Sequence, residues 1–359
     1  MRKAVIKPLV AVLACFLTII LITGVSCWHK PSHHSSQKPK YKGPEDTLVC
    51  VLDLPEFQGM SNELYIGYCY DLMKMYAANR NKPASIRFSR KNEKLKDSLL
   101  KGSVDIVCTP FPRTFEDDSL SCSTPIDSLF LCFTGVRNRA ETDSLDKWIC
   151  RYNSNPLRDS IRLPYIHPFN PRGRDTLARN KGYISPYDRF IRKAADSSGF
   201  DWRLIAAMLY QESHFHIEAV SVSGALGLAQ MVPSTASLMG ITDHLDPESN
   251  IIAGAMYLRK IYRQIYYTQG DSHLKFALAA YSSGLGNLVK AWEYTDSIGL
   301  NPNAWEDVRE SFVLMARDSV FCEEDSTMIP CPAGPVYMQA VHYVNSVLSY
   351  YNKFKAFPE

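Results

Sequence analysis

The spacing of apolar and polar residues changes several times along the chain. Residues 9–22 form one apolar run behind Arg2, Lys3 and Lys7. Residues 47–54 (TLVCVLDL) read as a buried strand, and residues 67–78 follow a helical period through Leu72, Met75 and Tyr76. A short strand at 86–88, a helix at 94–101 and strands at 104–109 and 129–135 continue the alternation, which predicts an α/β layer. From Ser185-Pro186, a capping residue with proline at the first helical position, the pattern is helical throughout. Asp201 can cap a helix that begins Trp202-Arg203-Leu204, in which Ile205, Met208 and Glu212 share one face. Asp246-Pro247 opens a long helix through Ile251, Ala255, Leu258 and Ile261. Leu274, Ala277, Leu278 and Tyr281 mark the next, stopped by Gly284 and Gly286, and Val341, Val344 and Leu348 line the last.

These rhythms divide the 359 residues into a multidomain α+β chain. Residues 1–26 read as a secretory signal, because the apolar run is shorter than the roughly 20 residues a spanning helix needs. Residues 27–45, rich in Pro, Ser, Lys and His, lack an apolar period and read as a tether. An α/β lobe over 46–150 and a Pro-, Arg- and Asn-rich linker over 151–184 precede an all-α domain over 185–359.

A formal charge of +3 is too small to argue for nucleic acid, and no Lys/Arg stripe with interleaved aromatics is present. There is no phosphate loop, dinucleotide fingerprint or metal-ligand spacing, so neither cofactor nor metal is expected. His33-His34 read as solvated residues of the tether. Of ten cysteines, Cys15 lies in the signal and Cys27 at its end. The other eight permit disulfides in an exported protein without revealing the pairing. Cys322 and Cys331, flanking a short Pro-containing loop, are the best local pair, whereas Cys50 and Cys108 in apolar strands read as small buried hydrophobes.

The chemistry concentrates in residues 206–230, AAMLYQESHFHIEAVSVSGALGLAQ. Glu212 ends an apolar helix and is followed by a Gly/Ser-rich turn and a glutamine. A carboxyl group leaving a buried face for a cleft is poorly hydrated, which favours its protonated form. A glycosidase acid needs that environment; an ordinary solvated helix end is the alternative reading of the same pattern.

The segment resembles the catalytic domain of the soluble lytic transglycosylases, relatives of goose-type lysozyme that cleave peptidoglycan strands. The resemblance rests on Glu212-Ser213, Ser221, Gly224-Ala225-Leu226-Gly227-Leu228-Ala229-Gln230 and Pro233-Ser234-Thr235-Ala236. Asn250-Ile251 with Gly254 and Tyr257-Leu258, then Ala280-Tyr281-Ser282-Ser283-Gly284 and Tyr343-Val344, continue it in order over 185–353. It implies a lysozyme-like helical fold, with Glu212 as the single catalytic acid. Ser221, Gln230 and Tyr281 would contact substrate or hold the acid, with turn stabilisation, helix-end polarity and core packing as the plain alternatives. Retaining and inverting glycosidases use two carboxyl groups. Here Glu218 falls outside the matched motifs, and the Glu of the family's last helix is replaced by Gln339. The resemblance therefore implies that the substrate's own 6-hydroxyl acts as nucleophile, giving a 1,6-anhydromuramyl product. Two other readings are a goose-type hydrolase and a non-catalytic peptidoglycan-binding lipoprotein. Ser282 and Ala229 depart from the family's usual Asn and Met and bear on subsite preference.

Gly102-Ser103-Val104-Asp105-Ile106-Val107 and the Ser123-Thr124-Pro125 turn are similar to the first lobe of bacterial solute-binding proteins. That lobe before such a catalytic domain resembles the F type of membrane-bound lytic transglycosylases, with the N-terminal part shortened. Arg113 stands where those lobes meet an amino-acid carboxylate, and a small ligand or muropeptide would find a half-open site. A spacer or docking module is the competing reading. Gly24-Val25-Ser26-Cys27 resembles a bacterial lipobox, with Gly24 in place of the usual Leu. It implies a lipid anchor on Cys27, and Trp28 in place of Asp after it implies the outer membrane. Ordinary signal cleavage and an uncleaved anchor remain the alternatives.

Overall fold

The computed structural model describes residues 47–57, 64–112, 118–173, 176–265, 268, 270–318 and 334–358. Cys15, Cys27, His33, His34, Arg113, Cys322 and Cys331 lie outside the described residues. The chain divides into two compact units. One holds the described residues of Gly43–Lys260 together with Asn345–Glu359, and the other holds Ile261–Val344. The fold is a small mixed sheet accompanied by many helices.

In the larger unit, β1 (Leu48–Leu52), β2 (Ala84–Phe88), β3 (Ile106–Pro110), β4 (Leu120–Cys122) and β5 (Phe130–Gly135) form one sheet in the order β2-β1-β3-β5-β4. β1 runs parallel to β2 and β3, while β5 is antiparallel to β3 and β4. Both faces of its centre are covered, which is why β1 reads as an unbroken apolar run. α1 (Tyr65–Asn79) buries Tyr68, Cys69, Leu72, Met73 and Tyr76. The sequence pattern put Met75 on that stripe, but it is exposed and the neighbouring Met73 takes the inner position. α2 (Leu95–Leu100) covers the opposite face, packing Leu95 and Leu99 with Val51, Val107, Leu131 and Phe133. The short edge strand β4 gave no period and was not expected.

Residues 151–184 are not the irregular linker that their Pro, Arg and Asn content suggests. They hold the end of α3 (Arg139–Asn153), then α4 (Arg158–Ile166) and α5 (Leu177–Lys181). α4 is fastened to α1: the Leu64 amide donates to the Tyr165 carbonyl at 2.8 Å, and the Tyr165 hydroxyl donates to Asp71. Arg162 and Arg158 of α4 reach the buried Asp127 carboxylate at 2.9 and 3.6 Å, where the Tyr68 hydroxyl also donates at 3.1 Å. A carboxylate inside this unit must be compensated by charge and donors. The arginines that look like linker polarity supply both.

α6 (Asp188–Ser198) packs on α7 (Trp202–Ser213). α6 starts two residues later than the Ser185-Pro186 signal suggests, because Ser185 works ahead of the helix. The Asp188 carboxylate accepts from the Ile184 and Ser185 amides at 2.8 and 2.9 Å and from the Ser185 hydroxyl at 2.8 Å. α8 (Pro233–Leu238) and α9 (Pro247–Gln264) follow, with Asp246 receiving the Ser249 amide at 3.0 Å as a cap. In the unit Ile261–Val344, α10 (Asp271–Ser283), α11 (Leu285–Ser297) and α12 (Trp305–Asp318) pack together, Phe276 lying edge-on to Trp292 and Trp305 with centroids 5.4 and 5.8 Å away. Gly284 ends α10 at φ +87°, as expected, whereas Gly286 lies inside α11 and stops nothing. The last helix, α13, spans Gly334–Phe354. Among the described residues, no helix is long and apolar enough to cross a membrane.

Burial pushes the Asp188 carboxyl up to about 6. The unfolded value is about 3.9, so the folded state binds the proton more tightly and stability falls as pH rises from about 4 to about 6. Urea unfolding at pH 4, 5, 6 and 7 should show this decline, amounting to at most about 3 kcal/mol. Asp188→Asn should lose that component of the slope; an unchanged pH profile in the variant would assign the decline to other groups.

Candidate active site

α7 sets the site. Its first turn is held from both sides of the Asp201 carboxylate, which accepts from the Arg203 amide at 2.9 Å and the Arg203 guanidinium at 2.6 Å. Tyr351 donates to the same carboxylate at 2.9 Å, and Arg203 donates onward to the Phe357 carbonyl at 3.1 Å. The expected cap is present, and the chain's last residues brace it. Trp202 to Tyr210 are buried all round, not on a single stripe, so α7 is a core helix. Only at Gln211 and Glu212 does the helix come partly into solvent. Glu212 is thus half-buried at the last turn, where the apolar pattern placed it.

The chain then turns sharply. His214 and Phe215 adopt left-handed backbone at φ +51° and +68°, and the Phe215 side chain anchors the turn in the core. His216 and Glu218 pair at 2.9 Å, so the second acid of the segment is engaged beside its own loop.

Residues 219–231 fold into a small looped platform with isolated bridges between Val220 and Leu226 and between Leu226 and Met231. The Ser221 hydroxyl accepts the Ala225 amide at 2.9 Å and lies 2.9 Å from the Ser223 hydroxyl, a turn-stabilising arrangement. Gln230, at φ +45°, donates its side-chain amide to the Ala219 and Gly227 carbonyls at 2.9 and 2.8 Å. Both amide hydrogens are therefore committed to the platform, and the side-chain carbonyl is the group left to accept from a ligand. Val220 and Val222 flank Ser221 with their side chains in solvent.

The platform is pinned from α9 by Asn250, 1% exposed. Its side-chain oxygen accepts the Ala229 amide at 2.8 Å, while its nitrogen donates to the His244 and Leu226 carbonyls at 3.2 and 3.4 Å. The sequence pattern recorded Asn250 only as part of a helix. The available signal was a polar residue directly before the apolar Ile251-Ile252 pair, on a helix whose neighbours are core. Gly227 makes room for this contact: a Cβ there would sit 2.6 Å from the Asn250 amide nitrogen and 2.7 Å from the His244 carbonyl oxygen. Its φ of +75° adds a second reason for glycine, whereas Gly224, at φ +78°, has open space around it.

Glu212, Ser221 and Gln230 belong to the larger unit. Tyr281 belongs to Ile261–Val344, near the end of α10, where its ring stacks on Tyr343 at 6.2 Å between centroids. A cavity of about 300 Å³ lined by His167, Asn170, Tyr210, His214 and His216 also borders α7. Tyr210 stands two residues from Glu212, about 200° around the helix, so this cavity meets a different face. Burial, then Arg172 and His216, holds the His214 imidazole below its ordinary value. No cluster of His, Cys, Asp and Glu suited to a metal occurs among the described residues.

Residues 189–300, which contain Glu212, Ser221, Gln230 and Tyr281, match the family model described as Transglycosylase SLT domain. Among curated proteins, the membrane-bound lytic murein transglycosylase F of Desulfosudis oleivorans is 38% identical over 166 residues, 46% of this chain and 35% of the relative. The protein of that name from Marinobacter nauticus is 29% identical over 260 residues, 71% of this chain and 50% of the relative. The chain thus spans between about a third and a half of the length of these relatives. Among solved structures, the 70 kDa soluble lytic transglycosylase SLT70 of Escherichia coli aligns with 61% of this chain and 34% of its own, at 19% identity and a TM-score of 0.36.

The two glycines separate conformation from space. Gly224→Ala should cost about 1–2 kcal/mol, the penalty of left-handed backbone. Gly227→Ala must also displace the His244 carbonyl or Asn250 and should cost at least about 3 kcal/mol. Urea unfolding of the pair measures the difference, and equal losses would remove the steric role of Asn250.

Proposed function

We propose that the chain is a peptidoglycan lytic transglycosylase, a carbon–oxygen lyase that cuts the β-1,4 bond between N-acetylmuramic acid and N-acetylglucosamine without water. One observation carries the reading. A half-buried glutamate ends a core helix, and a tight turn leads from it into a pinned Ser/Gly/Gln platform, all inside the stretch that matches the SLT domain. The lysozyme-like character of the helical domain belongs to the same proposal.

Glu212 donates its proton to the bridging oxygen, and the C–O bond to the leaving sugar breaks. The resulting carboxylate takes the proton from the muramyl 6-hydroxyl as that oxygen attacks C1 and closes the anhydro ring. Protons balance, Glu212 is regenerated and the substrate supplies its own nucleophile. Glu218 is held by His216, which fits a mechanism with one working carboxyl. In this reading the Gln230 carbonyl accepts from a sugar N-acetyl N–H and Ser221 shapes the turn facing the glycan, while Tyr281 is a further substrate-contacting residue.

The sheet-bearing part serves as a solute-binding-like lobe. Its parallel β2-β1-β3 core with an antiparallel return supports that assignment, and a small molecule or muropeptide is its ligand class. The envelope is the working compartment: Cys27 carries acyl chains, residues 28–45 tether the enzyme, and the outer membrane is the site of anchorage.

Glu212→Gln keeps the shape and cannot donate the proton. Release of anhydromuropeptides from purified sacculi, read by mass spectrometry, should fall by ~10²–10⁴-fold with the melting point retained. Wild-type release by the variant would sink the assignment, and reducing-end muramic acid as the wild-type product would convert it to a hydrolase.

Cys27→Ser should abolish palmitate labelling and leave a precursor or a soluble exported form, since stable anchorage needs more than one acyl chain. Unchanged labelling and membrane fractionation would replace the lipoprotein with an uncleaved anchor.

A further inference from the structure

We propose that Cys108 and Cys132 form a cross-strand disulfide in the mature protein, tying the parallel and antiparallel halves of the sheet together, while Cys50 and Cys69 remain thiols. Its oxidant rests on the envelope reading above.

The geometry begins with register. Cys108 of β3 and Cys132 of β5 stand directly opposite in the antiparallel ladder. The Cys132 amide donates to the Ser123 hydroxyl at 3.1 Å and its carbonyl accepts the Ser123 amide at 2.8 Å, so both point towards the β4 edge. The Cys108 carbonyl accepts the Asp53 amide at 2.8 Å on the other side. Neither residue turns these groups to the other, which makes them a non-hydrogen-bonded pair. In such pairs the Cα atoms are about 4.5 Å apart and the side chains approach most closely. That falls inside the ~4.4–6.8 Å window a disulfide accepts. The two sulfurs lie 3.2 Å apart, and both side chains are wholly buried.

Two further buried thiols compete. Cys69 of α1 hydrogen-bonds Cys108, and Cys50 of β1 lies in the same core. Cys69 approaches from a helix in the next layer, where no ladder fixes its register against Cys108. The opposed strand pair is the better-placed partner.

The hydrogen bond to Cys108, then burial, holds the Cys132 thiol well above its ordinary value. In the folded chain the thiolate that exchange requires is scarce and out of solvent. The bond must form while the sheet assembles. One thiolate attacks a sulfur of an external disulfide, a protein dithiol oxidant or glutathione disulfide, releasing one thiol. The second cysteine displaces the other. Two cysteine thiols give up two electrons and two protons, and the external disulfide leaves as two thiols.

The test uses the full chain with its own leader, expressed in a Gram-negative host, alkylated on lysis without reductant, digested and read by mass spectrometry. A peptide pair joined through Cys108 and Cys132, with Cys50 and Cys69 alkylated, is the expected result. Alkylated Cys108 and Cys132 in exported protein, or a bond from Cys108 to Cys69, overturns it. A second arm refolds the same chain in a glutathione redox buffer. Reduction should then lower the melting point by roughly 5–10 °C in the wild type. The Cys108→Ala/Cys132→Ala double variant should lose that share of the drop, and an equal drop in both overturns the bond. Bond formation on refolding, with free thiols only in protein recovered from the cytosol, would count against the envelope reading and for the bond.

Discussion

The carboxamide of Asn250 is the contact on which the candidate site depends. One buried side chain satisfies an amide and two carbonyls from two stretches of irregular backbone, at Leu226 and Ala229 of the platform and at His244. Irregular backbone packed against a core must find partners for its polar groups, and each one left unsatisfied costs about 1–3 kcal/mol. A loop of this length cannot provide them by a regular ladder; the isolated bridges at Leu226 are the limit of what it manages. Asn250 provides further partners from α9. Gly227 is the complementary concession, the position where any side chain would occupy the space of the carboxamide.

From that anchor the roles of the other residues narrow. Gln230 is already spent as a donor, so its remaining chemistry is acceptance through the side-chain carbonyl. Ser221 holds the turn through Ala225. The rigidity that makes these two poor candidates for mobile chemistry makes them good fixed points for a substrate, since a preorganised polar group needs no reorganisation on binding. Glu212 differs in kind: it sits on a helix locked at its first turn by Asp201, Arg203, Tyr351 and the Phe357 carbonyl, and it meets solvent only at the last.

The sheet-bearing part follows the same logic with charge in place of amides. Asp127 is compensated by Arg158, Arg162 and Tyr68, and Glu141 by Arg80 and Tyr76. Buried charges of this kind are strongly destabilising when one partner is removed, by about 3–5 kcal/mol. The Asp127 group fastens α4 to the turn before β5 and so turns a segment of linker-like composition into structure, while the Glu141 group joins α3 to the end of α1.

The sequence alone determined the elements whose side chains meet a single regular environment: the apolar strands β1, β3 and β5, the Asp201 and Asp246 caps, the glycine stop at Gly284 and the emergence of Glu212 from an apolar helix. Periodicity and capping are local, and a local rule can be read locally. It missed β4, put Met75 inside, placed the start of α6 two residues early and read α4 and α5 as linker, because edge strands and short polar helices owe their order to neighbours distant in sequence. Only tertiary structure decided that Asn250 pins the platform, that both Gln230 donors are consumed, that Arg158 and Arg162 answer Asp127, and that Cys108 faces Cys132. Each of these depends on which residues folding brings opposite one another, and that pairing across long stretches of chain leaves no periodic trace in the sequence.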